Sequence, residues 1–252
     1  MRISLFITLV GLLLGSLAAH AKPVKYFSMN LHCGLGDWAR RMDMVIAEIV
    51  RVNPDVIGLQ EVCYNSEMNM QTYILQGLQR SGYQIGAFHS VDTHRSFSKY
   101  MEQLLIISKQ KAVSKTQGYL PGIIILRNGY VGLEIEGQWV VTTHLHFLIP
   151  FVRQRQYKAL RNIFSGKKAI IFGDMNSSDR QWESGPLRKA GWTSHYEGPT
   201  YPSDKPRSIF DGFWLTSSFS QGSTFKSARR VFLNAPEQPS DHLGLELNLD
   251  LQ

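Results

Sequence analysis

Short apolar runs alternate with amphipathic segments along the chain after its first 21 residues. The runs 24–29 and 55–59 favour β-strands, and the apolar residues between them recur at helical spacing. A second helix is predicted over residues 68–80, and Gly82 marks its end. The chain is therefore expected to begin as strand, helix, strand, helix. The residues that carry the first helical pattern are Met42, Val45, Ile46, Ile49 and Val50.

The rest of the chain continues to mix strand-like and helix-like segments. Three of its predicted strands are separated by short turns, which favours an antiparallel meander in the middle of the chain. Strands and helices in this order indicate an α+β fold or an α/β sandwich. The predicted strands are 103–107, 122–126, 129–135, 139–143, 169–172, 211–215 and 243–249, and the predicted helices are 152–164 and 182–190.

The first 21 residues have the pattern of an export signal. A positive charge at Arg2 precedes an apolar run from Ile3 to Leu14, and Ala19-His20-Ala21 is a small-x-small cleavage pattern. The alternative is a membrane anchor, but the run is shorter than the ~20 residues that a spanning helix needs. We expect a signal peptide over 1–21, a single catalytic domain over 22–252, and a secreted or periplasmic protein.

The net positive charge of the chain favours anionic partners but does not show which kind. Its 27 Lys and Arg residues outnumber 20 Asp and Glu residues, which gives a net charge of +7. This excess fits an anionic phosphoester substrate such as nucleic acid or a phospholipid head group. Nothing in the composition implies a stable protein partner.

Two cysteines, Cys33 and Cys63, are too few for a cysteine-based zinc site. An exported protein meets an oxidising compartment, where thiols pair. Cys33 follows Asn30 by three residues and Cys63 follows Glu61 by two, so neighbouring strands would carry both sulfurs to the same edge. We therefore expect a disulfide; the alternative is a pair of unbonded buried thiols.

Carboxylate, amide and imidazole side chains stand at the ends of the predicted strands. This recurrence is difficult to explain as solvated loop ends. Oxygen ligands of this kind favour Mg²⁺, Mn²⁺ or Ca²⁺, and histidines beside them supply proton transfer and contacts to phosphate. The residues are Asn30, Glu61, His144, Asp174, Asn176, Asp211, Asp241 and His242.

Four motifs, in order along the chain, resemble the endonuclease/exonuclease/phosphatase (DNase I-like) superfamily. They are Gln60-Glu61, Thr143-His144, Gly173-Asp174-Met175-Asn176 and Ser240-Asp241-His242. The resemblance implies a four-layer α/β sandwich of two stacked, mainly antiparallel sheets flanked by helices, with the site at one edge. It also implies that Glu61 binds the metal, with Asn30 and Asp241 as direct or water-mediated partners.

The same resemblance implies the catalytic roles. Asp174 would align or deprotonate the attacking water, and Asn176 would help to hold the water or the phosphate. His144 and His242 would contact the scissile phosphate and stabilise the charge of the transition state. Asp211 would orient His242, as a carboxylate fixes an imidazole tautomer.

Two stretches bear on the substrate in different directions. Tyr100-Met101-Glu102-Gln103 is similar to pancreatic-type deoxyribonucleases, in which the tyrosine touches DNA and the glutamate supports the first catalytic histidine. Residues 198–206 are similar to a loop of bacterial members of unsettled substrate. Gly212-Phe213 departs from the family, which has a tyrosine there. The leading hypothesis is a secreted metal-dependent phosphodiesterase, and Tyr100 and Glu102 favour a nuclease.

Two alternatives stand beside the nuclease. An apolar stretch, 147–152, follows His144 directly. If exposed, it would contact a membrane and favour a lipid phosphodiesterase or phosphatase, sphingomyelinase-like or directed at phosphoinositides; if buried, it is a core connection. The other alternative is a non-catalytic binding module on the same fold, which would not require Asp174, His144 and His242 together.

Overall fold

The computed structural model describes residues 21–33, 36–95, 99–122 and 127–252. The expected signal peptide lies outside the described residues apart from Ala21, and so does most of the strand expected at 122–126. None of the helices in the described ranges has the length and apolar character needed to cross a membrane.

The described residues form strands and helices in a mixed order. The helices are α1 (Trp38–Val52), α2 (Met70–Arg80), α3 (Pro150–Ile163), α4 (Gly185–Lys189) and α5 (Ser217–Gln221), with a 3₁₀ turn at Trp182–Ser184. The strands are β1 (Lys22–Asn30), β2 (Val56–Tyr64), β3 (Ala87–Arg95), β4 (Met101–Ser108), β5 (Ser114–Tyr119), β6 (Gly129–Ile135), β7 (Gln138–His144), β8 (Ala169–Asp174), β9 (Thr193–His195), β10 (Asp211–Leu215), β11 (Ser223–Val231) and β12 (Gly244–Leu251).

These strands form two six-stranded sheets within the described part of the chain. The first has the order β11-β12-β1-β2-β4-β3 and the second the order β5-β6-β7-β8-β10-β9. Each sheet is antiparallel except for one central parallel pair, β1 with β2 and β7 with β8. The expected α/β sandwich of mainly antiparallel sheets is confirmed.

Three apolar clusters separate the four layers. Alternate residues of β1 point to opposite sides, so Phe27 packs with α1 and α2 while Tyr26 packs between the two sheets. A third cluster lies between the second sheet and α3, where Tyr157 and Leu160 meet Ile171. The order of layers is therefore helix, sheet, sheet, helix.

The two sheets are in close contact where the parallel pairs face each other. A Cβ on Gly58 of β2 would lie 2.3 Å from Phe172 Cε2 and 2.8 Å from Thr142 Cβ, so only glycine fits there. Two residues later, Gln60 Nε2 donates a hydrogen bond to Thr142 Oγ1 at 2.8 Å. This buried bond links the two sheets next to the edge at which both parallel pairs end.

The strand directions bring distant residues to that edge. Asn30, at the carboxyl end of β1, is in register with Gln60, the last residue of β2 that pairs with β1, and His144 is in register with Asp174 at the ends of β7 and β8. The antiparallel strand β10 begins there, with Asp211 opposite Asp174.

The sequence missed several strands and simplified one helix. The sequence predicts no strand in the ranges of β3, β5, β9 and β11, and β5 is the strand that pairs with β6. Gly122, the one described residue of the expected strand 122–126, is not in a strand. The helix expected at 182–190 is a 3₁₀ turn followed by the short α4, with Pro186 in its first turn.

We predict that Gly58→Ala lowers the free energy of unfolding by about 1–3 kcal/mol, because the added methyl group overpacks the contact between the sheets. Gly185→Ala is the matched control, since its Cβ would meet only Arg188 Nη2 at 3.8 Å at the start of α4. Urea unfolding midpoints measure both. Equal midpoints for the two variants would show that the sheets tolerate the extra volume.

Candidate active site

A pocket opens at the edge of the sandwich where the strand ends meet. It holds carboxylates, an amide and two imidazoles on one part of its wall and aromatic rings on another. The lining residues are Glu61, Glu102, His144, Phe147, Asp174, Asn176, Tyr201, Phe210, Asp241 and His242.

Asp174 is buried at the centre of the polar group. Its Oδ2 accepts a hydrogen bond from Asn30 Nδ2 at 3.1 Å, and its Oδ1 accepts the backbone N–H of Asn176 at 2.8 Å. The Nε2 atoms of His144 and His242 lie 3.5 and 3.7 Å from the same Oδ2. Burial raises the pKa of Asp174 more than the two imidazoles lower it. This carboxylate is therefore a better proton acceptor than an exposed aspartate.

His242 is held from its other side by Asp211. Its Nδ1 lies 2.9 Å from Asp211 Oδ2, which also accepts the Thr200 hydroxyl at 2.6 Å. Burial alone would lower the pKa of His242, but the charges of Asp211 and Asp174 outweigh it and raise the pKa to about 10. At neutral pH the ring is an imidazolium whose Nε2 side faces Asp174.

Glu61 lies in a bulge where β2 pairs with β4, and its φ of 54° is in the left-handed region. Such a bulge re-aims a side chain, here toward the pocket. Its oxygens accept Asn30 Nδ2 and the backbone N–H of Cys33, each at 3.0 Å. Burial opposes ionisation, but the charge of His144 and these hydrogen bonds lower the pKa of Glu61. Glu61 is therefore a carboxylate at neutral pH.

The expected disulfide between Cys33 and Cys63 is present, with the two Cα atoms 5.5 Å apart. It ties the loop after β1 to the end of β2. Because the Cys33 N–H binds Glu61, the disulfide holds one of the donors that keep this carboxylate in place.

Glu102 lies in the same pocket on β4. Burial and the charge of Glu61 raise the pKa of Glu102 to about 8. Two neighbouring carboxyl groups that repel each other in this way, with Glu102 buried and Glu61 partly buried, suit a hard divalent cation, which prefers oxygen ligands. Tyr100, the other residue of the deoxyribonuclease-like stretch, is half-buried and packs against the cluster beneath α1 and α2.

Another possible cation position is less suitable. Ligand atoms of Asp174, Asp211 and His242 lie within 4.8 Å of one another. However, His242 Nδ1 is engaged with Asp211, and a ring whose pKa is raised to about 10 is protonated and offers no lone pair. The chemistry of the donors therefore favours the Glu61 side of the pocket.

Asp241 lines the pocket and is partly exposed. His32 Nδ1 lies 3.1 Å from its Oδ1. Burial opposes ionisation, but the hydrogen bond from His32 and the nearby charge of His242 lower the pKa of Asp241. Ser240 anchors the loop that carries Asp241 and His242. Its Oγ donates to the backbone oxygen of Asn30 at 2.7 Å and accepts the His242 N–H at 3.2 Å.

The backbone of the Gly173-Asp174-Met175-Asn176 motif is equally constrained. Gly173 has a φ of 141°, and a Cβ there would lie 2.0 Å from the Thr143 oxygen. Asn176 adopts a φ of 49°, and its Nδ2 donates to the Leu145 oxygen at 2.9 Å. Asn176 therefore fixes the turn after Asp174 as well as lining the pocket.

All eight strand-end residues expected from the sequence are brought to this edge. Phe147, Tyr201 and Phe210 form an aromatic wall of the pocket. The sequence singled out Phe147 only within the apolar stretch 147–152, and it singled out neither Phe210 nor the support that Thr200 gives to Asp211. Tyr201 stacks on Phe210 at 5.4 Å and lies 4.9 Å from the His242 ring. A signal for Tyr201 was present in the resemblance of 198–206 to a bacterial loop.

The model of the endonuclease/exonuclease/phosphatase family matches residues 27–242. The chain belongs to this family. Membership indicates hydrolysis of phosphoesters. A comparison with curated proteins finds no match for this chain.

Solved structures of the family share the fold. A family protein from Leptotrichia buccalis has a TM-score of 0.73 at 20% identity, over 90% of this chain and 99% of that one. The catalytic domain of human nocturnin, solved with a bound sulfate anion, gives 0.67 at 17% over 91% and 95%. A mannosyl-6-phosphatase from Bacteroides thetaiotaomicron gives 0.63 at 15% over 90% and 99%. At these identities the likeness shows the fold.

We predict that Asp211→Asn lowers the pH at which His242 loses its proton. The raised pKa keeps the wild-type ring charged until the pH approaches about 10, and removing the Asp211 charge takes away the largest stabilising interaction. An NMR titration of the His242 ring in metal-free protein measures the shift. Thr200→Val, which removes the hydroxyl bonded to Asp211 but keeps its charge, should change the pKa less. Identical titrations in wild type and Asp211→Asn would contradict the assignment.

Proposed function

We propose that this protein is a divalent-metal-dependent phosphodiesterase that cleaves a P–O bond with water. The observation that carries the proposal is the buried Asp174 carboxylate, which lies between two imidazoles and beside the ionised Glu61. A base, charge-stabilising donors and an oxygen-rich position for a cation are thus grouped in one pocket.

Glu61 is the principal residue to hold the cation, with Asp241 as a direct or water-mediated partner. A bound Mg²⁺, Mn²⁺ or Ca²⁺ would polarise a phosphate oxygen and offset the charge that develops there. The amide of Asn30 donates to both Glu61 and Asp174, so it orients these two carboxylates relative to each other. Asn30 thus holds the metal-binding carboxylate of Glu61 in place by hydrogen bonding.

Asp174 accepts the proton of the attacking water, a role that its raised pKa favours. The imidazolium of His242 donates to the phosphate and stabilises the added negative charge, while Asp211 keeps the ring oriented and charged. His144 contacts the phosphate from the other side of Asp174. A module that only bound its ligand would not need this combination of base and donors.

The substrate can come from two classes. Nucleic acid is supported by the net positive charge and by Glu102, which the deoxyribonuclease-like stretch carries into the pocket. A lipid head group is supported by exposed apolar side chains between β7 and α3. The Cys33–Cys63 disulfide supports export to an oxidising compartment, in keeping with the signal peptide proposed for residues 1–21.

We predict that hydrolysis requires a divalent cation and that His144→Ala, His242→Ala and Asp174→Ala each lower kcat by at least about a hundredfold, the scale on which positioned acid, base and charge-stabilising groups act. Glu61→Gln should raise the metal concentration needed for half-maximal activity. Plasmid DNA, RNA, sphingomyelin and phosphoinositides are compared as substrates with Mg²⁺, Mn²⁺ or Ca²⁺.

Matched controls lie away from the pocket. Glu136→Gln changes a carboxylate in the turn between β6 and β7, at the opposite end of these strands, and His89→Ala changes a histidine on the edge strand β3. Both should retain wild-type rates. Full activity in excess chelator, or near-normal turnover in any two of the site variants, would refute the mechanism.

A further inference from the structure

Four large apolar side chains are exposed together beside the active site. Phe147 is 56% exposed, Leu148 66%, Phe151 69% and Trp182 47%. We call these four residues the rim surface. Phe147 also lines the active-site pocket, so the rim surface is continuous with its mouth. Single exposed apolar residues are common on soluble proteins, but a contiguous patch next to a site indicates an interaction surface.

The rim surface is assembled from two separate segments. Phe147 and Leu148 precede α3, Phe151 lies in its first turn, and Trp182 comes from the 3₁₀ turn. The Phe151 and Trp182 rings pack edge to face with their centres 4.9 Å apart. Their exposed edges therefore form one surface.

A buried polar network holds the loop that presents these side chains. Arg153 Nη1 donates to the backbone oxygens of His146 and Phe147 at 2.9 and 3.2 Å, and Arg153 Nη2 lies 2.9 Å from Glu183 Oε1. His146 Nδ1 accepts the backbone N–H groups of Leu148 and Ile149, each at 3.1 Å. Because Glu183 follows Trp182 directly, the same ion pair fixes both segments, and the outward direction of the apolar side chains is built into the fold.

The exposed charged side chains of the segment that carries the rim surface, residues 145–190, have one sign. Between residues 145 and 190 the acidic residues are Asp174, Asp179 and Glu183, and none of them is exposed. On α3, Phe151, Arg155 and Lys158 share one exposed helical face. The exposed charged residues of this range are Arg155, Lys158, Lys167, Arg180, Arg188 and Lys189.

We propose that the rim surface and the adjoining Arg155 and Lys158 dock this protein on an anionic phospholipid bilayer, with the apolar side chains in the head-group boundary. Apolar insertion and attraction of Lys and Arg to anionic lipids act together in such binding. A nucleic-acid surface would need rings free to stack on bases, whereas Phe151 and Trp182 pack on each other and Leu148 is aliphatic. Docking places the pocket mouth at the lipid surface, so it favours a lipid-borne phosphoester if the proposed function holds.

The test is co-sedimentation of the full chain, in chelator, with vesicles of phosphatidylcholine alone or mixed with phosphatidylglycerol. Wild type should bind the anionic vesicles, and less so at high salt. The double variant Leu148→Ser/Phe151→Ser should bind at least about tenfold more weakly, because burying two such side chains is worth more than a factor of ten. Arg155→Glu/Lys158→Glu should lose the preference for anionic vesicles.

The double variant Val113→Ser/Phe225→Ser is the matched control, since both residues are exposed and apolar but lie outside the rim surface. It should bind as wild type does. Urea unfolding midpoints show that each variant is folded, and vesicle binding in chelator does not depend on catalysis, so a failure of the proposed function leaves this result intact.

Three outcomes would overturn the proposal. The first is equal vesicle binding by the rim and control variants. The second is loss of DNA affinity in the rim variant while wild type ignores vesicles, which would assign the surface to nucleic acid. The third is a wild-type dimer that ignores vesicles and becomes monomeric in the rim variant, which would assign the surface to a second copy of this chain.

Discussion

The architecture of the site follows from the burial of one carboxylate, Asp174. Removing a carboxylate from water costs several kcal/mol unless donors and opposite charges replace the water. Those partners come from both sheets and from a loop: Asn30 from β1, His144 from β7 and His242 from the segment before β12. Asp174 therefore keeps these partners only when the two sheets are stacked as they are here, and the absence of a side chain at Gly58 permits this close stacking.

Much of the fold and the polar half of the site could be predicted because each motif residue sits where an apolar run stops. The resemblance of the motifs predicts that Asn30, Glu61, His144 and Asp174 form one site, and the structure shows how, because the carboxyl ends of the paired parallel strands meet at one edge. The structure adds the reasons for their neighbours. Ser240 donates a hydrogen bond to the backbone at the end of β1, and the Gln60 side chain donates one to the other sheet. At position 173 only glycine fits against the backbone of Thr143.

The strands that the sequence did not predict lack a periodic pattern of apolar residues. β11 is an edge strand whose side chains are mostly exposed, so it has no apolar run to detect. β5 alternates half-buried and exposed polar residues for the same reason. The aromatic wall is a product of tertiary structure, because Tyr201 and Phe210 lie in a loop with little regular structure. This loop is hydrogen-bonded to the segment before β12, where the Thr200 oxygen accepts the Leu243 N–H at 2.9 Å, and this places Tyr201 beside His242.

The buried ion pair between Arg153 and Glu183 indicates that the segment between β7 and α3 does more than connect these two elements. Well-packed apolar residues often match or exceed the stability of a buried ion pair, so such a pair is weak evidence for stability alone. Here the guanidinium also binds the backbone oxygens of His146 and Phe147, which hydrocarbon packing could not do. What the pair achieves is a fixed backbone in a loop that presents exposed apolar side chains. A chain that needed only to join β7 to α3 would bury Phe147 and Leu148 instead; here the network holds them in solvent at the mouth of a site built around Asp174.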